Sequence, residues 1–161
     1  MKEKHGPPVG KEFPRAHLIH TILPIIFTII WMLDTFIFQF STGLNLFIPD
    51  VIRIIIFIIT LIISFTLMRL VIKALFQGKQ ETPTLITNGI FAHVRHPMYL
   101  GVLLIYIAFI FLSISIICII LWIFILIPYN IMATYEEKDL EKIFGEEYLK
   151  YKNKVPKWIP R

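Results

Sequence analysis

The sequence has little of what a soluble protein of its length carries. Only 17% of its 161 residues are charged and 57% are hydrophobic, whereas about a quarter of an ordinary soluble domain is charged. A single cysteine, Cys118, excludes an intramolecular disulfide, and no His or Cys spacing suits a metal site. No two of the seven glycines are separated by one residue, which excludes a Rossmann-type cofactor site. These absences leave lipid as the main solvent.

Long apolar runs are what the sequence does have, and a helix needs about 20 apolar residues to cross a membrane. The block 98–134 is too long for one span, and we divide it at Ser113 and Ser115. The predicted spans cover residues 18–40, 54–76, 99–112 and 116–134. We therefore predict an all-α integral membrane protein with about four transmembrane helices, the last two forming a tight hairpin. Residues 1–161 make one membrane domain.

The basic residues are distributed unevenly along this predicted topology. Four lie in the N-terminal segment, four in the loop 69–97 or at its edge, and seven in the tail after residue 134, which leaves only Arg53 near the opposite face. Cytoplasmic segments carry the excess of Lys and Arg in multi-pass membrane proteins. Both termini and the long loop are therefore predicted to be cytoplasmic.

The tail, residues 135–151, is too charged to span a membrane. Its apolar residues Leu140, Phe144, Tyr148 and Tyr151 recur every three or four positions, which predicts one face of a helix. Gly145 interrupts this pattern and allows two shorter helices.

A polar cluster precedes the third span. Pro97 suits the first position of a helix, and free N–H groups at a helix start favour anions. Arg95 offers a planar donor group for a carboxylate or phosphate, with His96 beside it. Tyr99 adds an amphipathic ring, and Gly101 leaves space near the backbone. The cluster suits an anionic, aromatic ligand; the alternative is an anchor that contacts lipid phosphates.

A pair of acids, Glu136 and Glu137, follows the fourth span. Adjacent carboxylates point in different directions on a helix. One can pair with Lys138, Lys142 or Arg95, while the other can hold an ammonium or sulfonium group. The alternative is a solvated pair of acids at a helix start.

Taken together, the two clusters resemble the core of the isoprenylcysteine carboxyl methyltransferase family, whose relatives include membrane phospholipid methyltransferases. The first motif consists of Gly89, Phe91, Val94, Arg95, His96, Pro97, Tyr99 and Gly101. The second consists of Glu136, Glu137, Leu140, Phe144, Gly145, Tyr148, Tyr151, Val155, Pro156 and Pro160. The resemblance covers residues 89–160, and the order of the motifs around a predicted helix hairpin makes it specific.

The resemblance implies an S-adenosylmethionine-dependent methyltransferase. Arg95 and His96 would hold the methionine carboxylate of the cofactor. Glu136 or Glu137 would bind its α-amino group. Arg95 and Glu137 are the residues that we assign to catalysis.

The same resemblance places Tyr99, Leu100 and Gly101 against the cofactor and folds the tail, with Tyr148, over its adenosyl part. We divide the membrane domain into three parts. Residues 1–16 are the N-terminal segment, 17–76 the first two spans and 77–161 the cofactor-binding loop, hairpin and tail. The expected partners are membrane lipids and a lipophilic methyl acceptor that enters from the bilayer, not nucleic acid.

Three questions stay open from the sequence. Residues 130–135 contain no basic residue, where many carboxyl-methylating members have one, so the acceptor group can be a carboxylate, an amine, a thiol or a hydroxyl. A sterol-reductase-type enzyme with a nicotinamide cofactor and a non-catalytic membrane protein are the alternative functions. Asp34, inside the first span, is expected to reach water or to pair with Arg53.

Overall fold

The structure is a computed structural model that describes residues 13–77 and 84–160. All regular secondary structure in these two ranges is helical, which confirms the predicted all-α class. The α-helices are α1 (Ala16–Met32), α2 (Asp50–Gln77), α3 (Pro97–Ser113), α4 (Ile116–Phe144) and α5 (Glu146–Lys154). A π-helical turn (Leu33–Phe38) continues α1, and short 3-10 helices cover Gly43–Phe47 and Gly89–Ala92.

Three segments are long and apolar enough to cross a membrane. They are Ala16–Phe38, Asp50–Leu75 and Ile116–Phe144. Helix α3 is apolar but has only 17 residues, or roughly 25 Å at the usual helical rise, less than the hydrocarbon thickness of about 30 Å. The protein is therefore an integral membrane protein with three candidate spans, and a fourth crossing by α3 stays a prediction.

The predicted division of the third apolar block is confirmed by the turn between α3 and α4. Ile114 adopts a left-handed conformation with φ of 44° and ends α3. The hydroxyl of Ser115 then accepts a hydrogen bond from the N–H of Cys118 at 3.1 Å and so caps α4. Asp34, which is 3% exposed, accepts from the Ser115 hydroxyl at 2.6 Å and from the Ser41 hydroxyl at 2.5 Å. This buried carboxylate ties the end of α1 to the hairpin.

The two expectations for Asp34 were wrong. Its carboxylate is buried and does not reach water. Arg53 pairs instead with Asp50, one helical turn away, and donates to the carbonyl of Leu112 at 2.6 Å. The two serines that donate to Asp34 lie 7 and 81 positions away in the sequence, so no local pattern predicts these contacts.

Helices α2 and α3 pack closely at Gly101. The Ser64 hydroxyl donates to the Gly101 carbonyl at 2.6 Å. A Cβ at Gly101 would lie 2.9 Å from Cγ of Met68 and 3.4 Å from the Ser64 carbonyl. Small residues let membrane helices approach in this way.

Helix α4 continues beyond residue 134, the predicted end of the last span, through the charged segment to Phe144. Charged residues mark where a helix leaves the apolar region, and nothing between 134 and 144 breaks a helix. The break comes at Gly145, whose φ is 53°, and α5 follows. The predicted stripe of Leu140, Phe144, Tyr148 and Tyr151 is confirmed as one cluster, which also includes Leu85 and Val155.

Candidate active site

The tail is held against the loop that precedes α3. The Arg95 N–H donates to the Pro156 carbonyl at 3.0 Å, and the Tyr151 hydroxyl donates to the Phe91 carbonyl at 2.7 Å. Burial raises the pKa of Tyr151 to about 12, so this phenol stays protonated and keeps its donor. These bonds bring the Arg-His-Pro loop, the end of α4 and the tail into one cluster.

Glu137 is the buried carboxylate at the centre of this cluster. Its Oε1 lies 3.0 Å from Nε2 of His96 and 3.4 Å from Nη2 of Arg95. Its Oε2 lies 3.8 Å from Nζ of Lys152 in the tail. Three basic side chains therefore surround one acid, and the Coulomb attraction at these distances is strong in a partly desolvated site.

The guanidinium of Arg95 has two N–H groups that donate to no acceptor among the described residues. Its side chain is only 10% exposed, and its Nε and Nη1 have no hydrogen-bond partner in the described part of the chain. A buried donor without an acceptor costs about 1–3 kcal/mol. Two such donors on one guanidinium are the arrangement expected of a site that binds an anion, so a ligand carboxylate fits there.

His96 connects the two acids of the pair. Its Nε2 faces Glu137, and its Nδ1 lies 3.8 Å from Oε2 of Glu136. The Tyr99 hydroxyl also donates to the Glu136 carboxylate. The rings of His96 and Tyr99 stack with centroids 5.8 Å apart at 10°. Because α3 begins at Pro97, one turn of helix orients both rings toward the end of α4.

More aromatic rings surround Tyr99. His20 of α1 stacks on it with centroids 5.6 Å apart, and Tyr129 of α4 meets its edge at 5.7 Å. The indole of Trp158 in the tail lies 5.9 Å from His96. Such rings offer apolar surface and π faces for a planar or cationic ligand.

Sequence reasoning missed His20, Tyr129 and Trp158, as well as the tail residues Lys152 and Lys157. Tyr129 lies seven residues before Glu136 on one helix, and this spacing places both on one face. The motif that ends in Pro156 and Pro160 encloses Trp158. No local pattern indicates that His20 belongs to the site, since α1 is distant in sequence.

The predicted site residues Arg95, His96, Tyr99, Glu136 and Glu137 come together. Tyr148 is buried next to them: burial raises its pKa well above the usual range, and the charge of Glu137 raises it further.

Two predicted residues have other neighbours. Gly101 contacts Ser64 and Met68 of α2, which accounts for a glycine there without a ligand. Leu100 is half-buried and its N–H donates to the His96 carbonyl at 3.0 Å. A role in cofactor binding stays a prediction for both.

Comparison with known families agrees with this arrangement. The sequence model described as phospholipid methyltransferase matches residues 50–147, more than half of the chain. The chain belongs to the phospholipid methyltransferase family. The family match extends from the start of α2 into α5 and includes the Arg-His-Pro loop and the Glu pair. Lys157 and Trp158 of this family member lie beyond the matched range.

The chain is also similar to three proteins named protein-S-isoprenylcysteine O-methyltransferase, so the family resemblance seen in the motifs is confirmed. It is 36% identical to the Homo sapiens protein over 87 residues, which cover 51% of this chain and 29% of that protein. It is 36% identical to the Schizosaccharomyces pombe protein over 81 residues, which cover 47% of this chain and 33% of the relative. With the Mus musculus protein the identity is 36% over 83 residues, which cover 51% of this chain and 29% of the relative. The matched part of the chain thus spans about a third of the length of each relative.

Proposed function

We propose that the protein is an S-adenosylmethionine-dependent methyltransferase that acts on a membrane-embedded lipophilic acceptor at the cytoplasmic interface. The observation that carries this proposal is the guanidinium of Arg95, which is buried, oriented by Glu137 and left with two unused donors. Membership of the phospholipid methyltransferase family supports methyl transfer as the reaction. It also favours this function over a nicotinamide-dependent reductase.

The residues present fit the amino acid part of S-adenosylmethionine. The free donors Nε and Nη1 of Arg95 suit its α-carboxylate. Glu136 is half-buried and suits its α-ammonium group, for which the carboxylate would give up part of its contact with Tyr99. His96 holds both acids in place, since it contacts one with each ring nitrogen.

When bound, S-adenosylmethionine supplies a methyl group on a sulfonium, and a nucleophilic acceptor atom forms its bond to the methyl carbon as the S–C bond breaks. This reaction disperses positive charge and depends mainly on positioning. The aromatic rings of Tyr99 and Trp158 provide apolar walls that exclude water from such a step. Glu137 contributes by fixing the guanidinium of Arg95.

The membrane supports the choice of a lipophilic acceptor. Isoleucine and phenylalanine side chains project from α1, α2 and α4 with half or more of their surface exposed, as for Ile25, Ile62 and Phe124. Lipid is the solvent that such a surface requires. A lipid-like acceptor can therefore reach the site sideways, while the charge distribution of the sequence favours a cytoplasmic entrance for the cofactor.

Calorimetric titration of S-adenosylmethionine into the detergent-purified protein tests this function. We expect a dissociation constant in the micromolar range, which corresponds to roughly −8 kcal/mol. Arg95→Ala and Glu137→Ala should weaken binding at least about tenfold, the loss of one charge-assisted hydrogen bond. Arg69→Ala is the matched control, since Arg69 is exposed on α2. Absence of binding at millimolar cofactor, with the protein folded, would contradict the proposal.

A further inference from the structure

One polar side chain lies on the face of α1 that packs against the rest of the bundle. The buried residues of this helix are Ala16, Phe27 and Trp31. His20 lies four, seven and eleven positions from them, and these separations place all of them on one face of an α-helix. His17, by contrast, is exposed. The helix therefore directs His20, and not His17, into the bundle.

Ring contacts before and after His20 fix its depth in the bundle. Before it, the ring of Phe13 meets the ring of Tyr135 edge-on, with centroids 5.4 Å apart. After it, the ring of Phe27 packs against that of Tyr106 with centroids 4.8 Å apart. The chain is thus held against α4 at the start of α1 and against α3 further along. Helix α1 cannot slide past the site without losing both contacts.

His20 contacts two tyrosines of the site. Its ring stacks on that of Tyr99 with centroids 5.6 Å apart and 26° between the planes. The hydroxyl of Tyr129 lies 3.4 Å from Nδ1 of His20, and the Tyr129 ring meets the imidazole edge-on at 5.6 Å. Aromatic pairs attract one another at such separations, both stacked and edge-to-face. The fully buried Tyr129 therefore holds the imidazole in place beside Tyr99.

Tyr99 connects this arrangement to the Glu pair. Its hydroxyl donates to the carboxylate of Glu136, the acid that the proposed function assigns to the α-ammonium group of the cofactor. A phenol oxygen lies in the plane of its ring, so a neighbour that fixes the ring plane also fixes the position of the hydroxyl. The Glu136 side chain is 28% exposed, so burial holds it only in part. Its orientation therefore depends on the ring against which His20 stacks.

We propose that His20 is a positioning residue for the α-amino group of S-adenosylmethionine, because its ring fixes Tyr99 and Tyr99 orients the Glu136 carboxylate. This inference rests on the proposed methyltransferase function and adds α1 to the site. The family match begins at residue 50, so it does not include His20. His20 acts through Tyr99 and needs no contact of its own with the cofactor.

Two probes that differ only in the α-amino group test the inference. They are S-adenosylhomocysteine and its deamino analogue, which carries hydrogen in place of that group, and both are titrated by calorimetry into protein in non-ionic detergent. The wild type should bind S-adenosylhomocysteine about 10- to 100-fold more tightly than the analogue, the effect of one charge-assisted hydrogen bond. Glu136→Gln should remove most of this preference.

The variants His20→Leu and His20→Phe isolate the stacked ring. Both fill the space of the imidazole and both lose Nδ1, but only phenylalanine can stack on Tyr99. His20→Leu should lower the preference for the amino group about 2- to 10-fold, the contribution of one aromatic pair, and change the affinity for the deamino analogue by less than about twofold. His20→Phe should keep the preference of the wild type. His17→Leu is the matched control, since His17 is exposed.

Tyr99→Phe provides a readout that a purely structural role of His20 would not change. It keeps the ring but removes the hydroxyl, so adding His20→Leu to Tyr99→Phe should cause no further loss of preference. Equal losses in both backgrounds would show that His20 does not act through Tyr99, and the inference would be wrong. It also fails if His20→Leu weakens the binding of both probes equally or leaves the preference unchanged.

Binding by the wild type keeps the two proposals apart. A folded wild type that binds neither S-adenosylmethionine nor S-adenosylhomocysteine would remove the proposed function itself. A wild type that binds S-adenosylhomocysteine and its deamino analogue equally well would overturn the inference alone, because no carboxylate would then recognise the amino group. A preference that is lowered in His20→Leu and kept in His20→Phe would support the inference.

Discussion

Nε2 of His96 lies 3.0 Å from Oε1 of Glu137, and this contact joins the start of α3 to the last third of α4. The two residues are 41 positions apart and belong to different motifs. Because Glu137 is buried and also faces Arg95 and Lys152, its charge organises the basic groups of the site. The acid is therefore expected to act through Arg95 as well as by itself.

The first prediction concerns Glu137→Gln. The amide keeps the size of the side chain and can still contact His96, but it removes the negative charge that orients Arg95. We expect the dissociation constant for S-adenosylmethionine to rise about 10- to 100-fold, since charge-assisted hydrogen bonds contribute roughly 1.5–3 kcal/mol. Isothermal calorimetry measures this. Glu147→Gln, an exposed acid on α5, should bind as the wild type does, and a Glu137→Gln protein with normal affinity would contradict the assignment.

The motifs predicted which of these side chains lie together because each motif is local. Arg95, His96 and Tyr99 occupy one helix start, and Glu136 and Glu137 lie side by side, so nearby residues alone define their geometry. The two serines likewise predicted the turn between α3 and α4, since a chain of that length needs a break near Ser113 and Ser115. Resemblance to a family then placed the two motifs together.

The contacts that join distant segments could not be predicted in this way. Lys157 meets Asn130 across 27 positions and Trp158 meets the same residue across 28, and no pattern marks either pairing. The sequence predicted a helical tail with a break at Gly145, but not that the last span and the tail form one continuous helix as far as that glycine, whose φ is 53°.

A second prediction separates packing from ligand binding at Gly101. The Cβ of Gly101→Ala would lie 2.9 Å from Cγ of Met68, and overpacking of this kind costs about 1–3 kcal/mol. The thermal midpoint in detergent should fall, and Met68→Ala in the same chain should recover part of the loss by removing Cγ. Calorimetry on the folded fraction should find unchanged cofactor affinity. A protein of normal stability that fails to bind S-adenosylmethionine would instead support the role that the motif assigned to Gly101.

The last prediction concerns Asp34, whose carboxylate accepts from the hydroxyls of Ser41 and Ser115 away from the Glu137 cluster. Asp34→Asn removes the negative charge and replaces one acceptor oxygen by a donor, so one serine hydroxyl must donate to the other serine, 3.1 Å away, and not to a carboxylate. Hydrogen bonds to charged groups contribute about 1.5–3 kcal/mol, so this loss should lower the thermal midpoint measured in detergent.

Asp50→Asn is the control for that substitution, because the Asp50 side chain is 79% exposed and its pairing with Arg53 lies at the surface. Exposed ion pairs contribute about 0–1 kcal/mol, so this variant should unfold close to the wild type. Cofactor affinity should be unchanged in both variants, since Asp34 stabilises the hairpin from the opposite end of the helices. Loss of cofactor binding by a stable Asp34→Asn protein would mean that this carboxylate serves the site directly.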